Sequence, residues 1–261
     1  MYCTNKKVNQ RNKYILQKSD HPIAKIDSLN MPPRAKQDSG ENIRQLPVKL
    51  FLSNECKVML LWNINTEHGL VNGCTGTVKE IFYKPSTEPP SLPAFVIVDF
   101  GSAYKGPKYF DTPEGETTRD NWVPIFPVTI AWNVQRSGVN ENNETYSRTM
   151  LPIKLSYAWT IWKAQGQTIS KPILIDLEKT EMAHGLTYTA FSRARRYSQI
   201  GIIGGGVSLS RLQRFSLRKN FQNRKLADEN LRRKDIRATS WWNNYFNILD
   251  EENCYEFNFT G

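Results

Sequence analysis

The pattern of apolar and polar positions changes character along the chain. From Leu46 to about Trp132, short apolar runs alternate with turn residues. Lys57-Val58-Met59-Leu60-Leu61-Trp62 is mostly apolar, Gly76 to Tyr83 alternates, Phe95 to Phe100 is apolar and β-branched, and Val123 to Trp132 is a further run. Asn72-Gly73, Pro89-Pro90, Gly101, Gly106-Pro107 and Pro113 separate them. Short strands punctuated in this way predict a small barrel or sandwich. Beyond an Asn-rich loop, Asn133 to Asn143, the pattern becomes one of alternating strands and helices. Ile153 to Ala158, Pro172 to Leu177 and Ile200 to Ile203 read as strands, and Trp159 to Gln165 and Thr187 to Arg195 as helices. This order predicts a parallel α/β layer.

The two ends differ from this middle. Tyr2-Cys3-Thr4-Asn5 reads as the end of a buried strand entering a polar helix through Asn9 and Asn12, an abrupt start expected of a chain that begins in mid-domain. Residues 27–46 are rich in Pro, Asn, Asp and Gly and read as a loop. Residues 211–237 hold ten Lys or Arg against three acids, with Phe215, Phe221, Leu226 and Leu231 interspersed, and read as a weakly periodic helix. Trp241-Trp242, Tyr245 and Phe246 follow, before an acidic end at Asp250-Glu251-Glu252. No internal repeat is visible.

Composition narrows the class. In 261 residues, 39% hydrophobic content supports a folded core. No run of about 18 apolar residues offers a membrane span, and Met1 to Lys13 lacks the apolar stretch of a secretory signal. Thirty-five Lys and Arg against 25 Asp and Glu leave a formal net charge of +10, which favours a polyanion partner, nucleic acid being the commonest. Cys3, Cys56, Cys74 and Cys254 are scattered without metal-ligand spacing, so zinc is disfavoured and a reducing compartment is expected.

The chemistry concentrates in Thr160-Ile161-Trp162-Lys163-Ala164-Gln165-Gly166-Gln167-Thr168, which directly follows a strand. A polar loop carrying Gly at a strand end lets backbone approach a phosphate closely. Its hydroxyls and amides can hold a nucleic-acid backbone without reading sequence. The segment resembles motif V of the PIF/RecD-like group of superfamily 1 (1B) DNA helicases, usually Thr-Ile-His-Lys-(Ser/Ala)-Gln-Gly-x-Thr. A second segment, Tyr188-Thr189-Ala190-Phe191-Ser192-Arg193-Ala194-Arg195, resembles motif VI of the same group. A third, Val58-Met59-Leu60-Leu61-Trp62-Asn63-Ile64-Asn65 with Gly69-Leu70-Val71-Asn72-Gly73-Cys74-Thr75-Gly76, resembles the stretch that opens its inserted barrel. Cys3-Thr4-Asn5 with Val8, Asn9 and Asn12 resembles motif IV. Together the resemblances span roughly residues 2 to 206.

The resemblance implies an α/β, RecA-like second motor domain (P-loop NTPase-like) with an inserted small Src-homology-3-like β-barrel. Motif IV would lie in residues 1–45, the barrel in 46–150, motifs V and VI in 151–207 and a basic helical tail in 208–261. It places Thr160, Trp162, Lys163, Thr168 and Asn72 on single-stranded DNA, and Gly166, Gln165 and Arg193 at the nucleotide. Arg193 takes the role of an arginine finger, because a planar guanidinium can spread positive charge over a developing phosphate charge. Two positions depart from the family. Trp162 replaces its His, so it can stack on a base but cannot reproduce an imidazole's hydrogen bonds. Trp62 stands where Arg is usual. The barrel either guides single-stranded DNA or is scaffold.

The sequence has no G-x-x-x-x-G-K-(S/T) phosphate cradle, and no Asp-Glu pair at a strand end offers a magnesium site. Gly204-Gly205-Gly206 is not followed by Lys-Ser or Lys-Thr, and His21, His68 and His184 form no triad pattern. ATP and Mg²⁺ are therefore expected in the full-length parent and not on this chain alone. A separate N-terminal motor domain becomes an expected partner beside single-stranded DNA, with no membrane. Expected roles are unwinding in repair, recombination or telomere maintenance, in the nucleus, with mitochondrion and cytoplasm as alternatives. A non-catalytic DNA-binding module and a protein–protein module built on the barrel remain the rival functions. A truncated helicase, a decayed copy and a genuine short protein remain open as origins.

Overall fold

A computed structural model of the chain describes residues 1–38, 45–114, 118–134, 144–179, 182–183, 185–204, 206–208, 211 and 219–252. In chain order the first elements are α1 (Asn5–Leu16), β1 (Ala24–Asp27), β2 (Leu29–Met31), β3 (Lys49–Leu52), β4 (Lys57–Leu60), β5 (Thr75–Phe82) and β6 (Phe95–Asp99). Then come β7 (Trp122–Ile125), β8 (Val128–Val134), β9 (Glu144–Met150), β10 (Ile153–Leu155), β11 (Ile173–Leu177), α2 (Leu186–Phe191), β12 (Ile200–Gly204) and α3 (Lys219–Glu252). The Asn-rich loop from 135, His184, Gly205 and positions 212–218 of the basic stretch lie outside the described residues.

The parallel layer is built from both ends of the chain. Tyr2 bridges in parallel to Thr160 on one side and Asp176 on the other, and β11 pairs in parallel with β12. The Tyr2 amide donates to the Trp159 carbonyl at 3.0 Å and the Tyr2 carbonyl accepts the Ile161 amide at 2.9 Å. Ile173, Ile175 and Leu177 point inward from β11 and pack with Cys3, Ile161, Leu186 and Ala190. Burial alternates along β11, and Leu174 between the inward residues is 46% exposed. Thr4 caps α1 through its hydroxyl, which accepts the Lys7 amide. Val8, Asn12 and Leu16, four residues apart, form the buried stripe of α1. Lys7 bridges to Asp176 and Glu178, tying the first turn of α1 to the end of β11.

The remaining strands form three antiparallel sheets, with orders β10-β4-β5-β6-β7, β2-β9-β8 and β1-β3. Ile26, Leu52, Val58, Leu60, Val78 and Met150 meet in one apolar core shared by all three. Strand pairing among these sheets runs from Ala24 to Leu155.

Several sequence expectations are corrected. The run Val123 to Trp132 divides into β7 and β8, which lie in different sheets, and Pro127, which lacks an N–H, falls between them. The strand expected at 153–158 stops at Leu155 and pairs with β4, so it joins the antiparallel region and not the parallel layer. The helix expected from Trp159 to Gln165 is a series of turns closed by short-range bonds such as Gln165 amide to Trp162 carbonyl. The second expected helix ends at Phe191, well before Arg195. Among its described residues, the proposed loop 27–46 contains β2 and the 3₁₀ segment Pro33–Gln37.

That last segment is held by a buried cation. Arg148 on β9 is 2% exposed. Its guanidinium donates to the Asn30 side-chain oxygen at 2.8 Å and to the carbonyls of Ala35, Leu46 and Asp38 at 2.9, 3.1 and 3.1 Å. Asp38 in turn accepts the Trp132 indole N–H at 2.9 Å. A buried charge is tolerable only when its donors are satisfied, and backbone carbonyls satisfy this one.

Candidate nucleic-acid interface

The loop Thr160–Thr168 leaves the parallel layer immediately after the Thr160–Tyr2 bridge. The Lys163 amide bonds back to the Thr160 carbonyl at 3.1 Å and to its hydroxyl at 3.3 Å, which turns the chain sharply. Ile161 and Ala164 are buried and anchor the loop from below. Gly166 has φ +80° and nothing within 4 Å of the place a Cβ would occupy. Only glycine adopts that backbone freely, so the loop ends in an exposed, open stretch of main chain. Gln165, Thr168 and Trp162 are exposed, Trp162 by 52%.

The turn Asn72-Gly73 meets this loop from the antiparallel region. The Lys163 ammonium donates to the Asn72 side-chain oxygen at 2.5 Å. Asn72 is itself held by its amide, which donates to the Asn63 side-chain oxygen at 2.8 Å. Gly73 has φ +92° and faces Lys163 and Gln167, whose atoms lie 3.6 and 3.4 Å from the position of an added Cβ. Two residues singled out separately in the sequence, Lys163 and Asn72, therefore form one cluster with Thr160 at its base. Burial holds the Lys163 amine below the usual lysine range. Lys154 on β10 is lowered too, first by its own burial and then by the charge of Lys163. Lys154 has no sequence signature: it stands between Ile153 and Leu155 and reads as the outward residue of a strand.

Arg193 lies on the other side of the loop. Its guanidinium donates to the Gln167 carbonyl at 3.1 Å, the Ala164 carbonyl at 3.5 Å, the Thr189 carbonyl at 3.0 Å and the Ser192 hydroxyl at 2.9 Å. The Ile169 amide donates to the Arg193 carbonyl at 2.8 Å, and Ile169 bridges in parallel to Ala194. Gly166, Gln165 and Arg193 thus share one neighbourhood, with the arginine turned onto the carbonyls that flank Gly166. Trp62, the other departure from the family, packs partly buried against the antiparallel core.

Among the described residues no group of His, Cys, Asp or Glu is placed to hold a metal ion, and no helix is long and apolar enough to cross a membrane.

No protein-family model matches the sequence, and no curated protein does. Similarity to known proteins lies in the fold. The Pif1 helicase from Candida albicans aligns with a TM-score of 0.53 and 22% identity over 77% of this chain and 44% of that one. Bacteroides Pif1 bound to ssDNA aligns with a TM-score of 0.49 and 21% identity over 83% of this chain and 44% of that one. Bacteroides Pif1 in complex with ADP-AlF3 and ssDNA gives 0.48 and 20% over 82% and 44%. The chain spans less than half the length of these helicases. The Candida likeness assigns the architecture: a mixed α/β chain with the RecA-like helicase fold.

Proposed function

We propose that this chain is the second motor domain of a PIF/RecD-like superfamily 1 DNA helicase, gripping single-stranded DNA with the loop Thr160–Thr168 and the turn Asn72-Gly73. The observation that carries this reading is the Lys163–Asn72 hydrogen bond. It joins two segments, 91 residues apart, that each resemble a DNA-contacting stretch of that group. The likeness in fold to Candida Pif1 supports it. We read the three antiparallel sheets as the inserted Src-homology-3-like barrel, with its edges at the paired strands Ala24 and Leu155. The parent activity is ATP-driven unwinding in nuclear repair, recombination or telomere maintenance.

In this reading Thr160, Lys163, Asn72 and Thr168 hold phosphates, and Trp162 offers an exposed face for a base. Such contacts are salt-sensitive and indifferent to sequence. Arg193 and the open backbone at Gly166 fit the side of a triphosphate that a second motor domain presents. ATP supplies the phosphoanhydride bond whose cleavage drives the motor; its phosphate cradle and Mg²⁺ ligands belong to a first motor domain. To reach a phosphate, the Arg193 guanidinium must leave the Ala164 and Gln167 carbonyls. Nucleotide and DNA-gripping loop therefore compete for one side chain, which couples the two sites.

The test is fluorescence anisotropy of a labelled oligothymidylate across a salt series. The wild-type chain should bind at low salt. Lys163→Ala should weaken binding about tenfold, the worth of one charged hydrogen bond, and lower the salt slope by about 0.7. ATP turnover by the chain alone should be absent with or without the strand. Absence of binding at low salt, or indifference to Lys163→Ala, refutes the reading.

A further inference from the structure

A groove of about 650 Å³ runs between α1 and the antiparallel region and ends at Thr160 and Lys163. Its size is within the range of about 300–1,000 Å³ typical of sites for small organic groups. Asn12 fixes its shape. From the buried stripe of α1 its side chain donates to the carbonyls of Leu155 and Ala158 and accepts the Ala158 amide at 2.7 Å. With the Asn12 donors and acceptor all used, this residue sets the spacing between helix and strand and is not itself open to a ligand.

The lining of the groove has one sign of charge. Lys13, Lys49, Lys154 and Lys163 contribute to it, and no Asp or Glu does. Among the described residues none of these four lysines forms an ion pair. Lys154 and Lys163 stand close enough for one charge to act on the other. Two partly desolvated ammonium groups facing a common space without a carboxylate make a favourable place for an anion. The rest of the groove is apolar. Leu50 and Met59 are buried at its base, and Phe51 presents a ring that is 42% exposed. Phe51 is on β3, where alternation turns Leu50 and Leu52 into the core and Phe51 outward. A long exposed aromatic beside uncompensated lysines is the combination that stacks a base and holds its phosphate.

We propose that this groove is a nucleotide subsite for the bound single strand, seating one base on Phe51 with the adjoining phosphate between Lys154 and Lys163. The inference rests on the DNA-binding reading above and adds to it a stacking residue and a second phosphate-holding lysine.

The experiment uses an oligothymidylate carrying a single pyrrolocytosine, moved along the strand from one preparation to the next. Stacking quenches this fluorescent base. With the wild-type chain, one position should be quenched on binding far more than its neighbours. Phe51→Ala should abolish that quench and weaken binding by roughly 5- to 100-fold, as the loss of one base–aromatic stack does. Phe51→Trp should retain the quench. Lys154→Gln should lower the salt slope by about 0.7. Phe51 and Lys154 lie outside the apolar core, and unchanged circular dichroism and melting of the variants verify that the fold is intact. If the strand binds and Lys163→Ala weakens it, but Phe51→Ala and Lys154→Gln leave affinity and quench unchanged, the groove inference fails and the DNA-binding reading stands. If no strand binds at low salt, both fail.

Discussion

Replacing Arg148 with Met removes a buried charge and keeps a side chain of similar reach. The thioether chain can still pack beneath Trp132, over whose ring the guanidinium now sits at 5.9 Å. Little cavity is created, so the loss falls on the hydrogen bonds. Four acceptors lie within 3.1 Å of the guanidinium: the Asn30 side-chain oxygen and the carbonyls of Ala35, Asp38 and Leu46. Each acceptor left unpaired in the interior costs about 1–3 kcal/mol. Met31 and Lys36 are exposed, so part of this segment can find water after the change. If half of the acceptors rehydrate, the net loss is about 4 kcal/mol. That is a large part of the roughly 5–15 kcal/mol that holds a typical domain. Arg34→Met is the internal comparison. Arg34 pairs with Glu144 at the surface, where ion pairs contribute about 0–1 kcal/mol. Urea unfolding followed by tryptophan fluorescence measures both, with amide exchange over 30–38 reporting local release. An Arg148→Met loss under about 1 kcal/mol, or one equal to that of Arg34→Met, would sink the view that this cation organises the segment.

Asn12→Ala leaves two carbonyls and one amide of the 155–158 turn without partners; unfolding in urea should show a loss of about 2–4 kcal/mol. Cys56 is buried, and burial pushes its thiol up to about 11. Alkylation of the folded protein at pH 8 should therefore be about two orders of magnitude slower at Cys56 than at a free thiol of pKa ~8.5, as read by peptide mass mapping. The folded state holds the Cys56 proton after the unfolded chain has released it. The corresponding stability is intact below the ordinary thiol range and declines as pH rises towards about 11; urea midpoints at rising pH test that sign.

Much of the parallel layer was legible because its strands are short, nearly continuous apolar runs. Ile173 to Leu177 and Ile200 to Ile203 stand out as apolar runs in any context. β9 was missed for the opposite reason. Its residues Glu144 to Met150 are mostly polar, and its inward positions include Arg148, which no hydrophobic pattern marks. The segment Trp159 to Gln165 was misread as a helix, since helix-forming residues precede Gly166 while the amides of Lys163, Gln165 and Gln167 bond back over only three residues. The pairing of Lys163 with Asn72, and the place of Lys154 beside them, depend on strands meeting across the fold. Local spacing holds no trace of either.

The central place of Tyr2 also dictates an order of events during synthesis. Its neighbour Cys3 donates to the Asp176 carbonyl across 173 residues of chain. At about 5–20 residues per second, a ribosome needs roughly 9–35 s to travel that distance. Until β11 emerges Tyr2 has no partner on the β11 side, whereas β1 to β10, which end at Leu155, can already hold all of theirs. The antiparallel region can be complete while the parallel layer is still two separated pieces. Assembly of the parallel layer is then a late ring closure, completed only when β11 emerges.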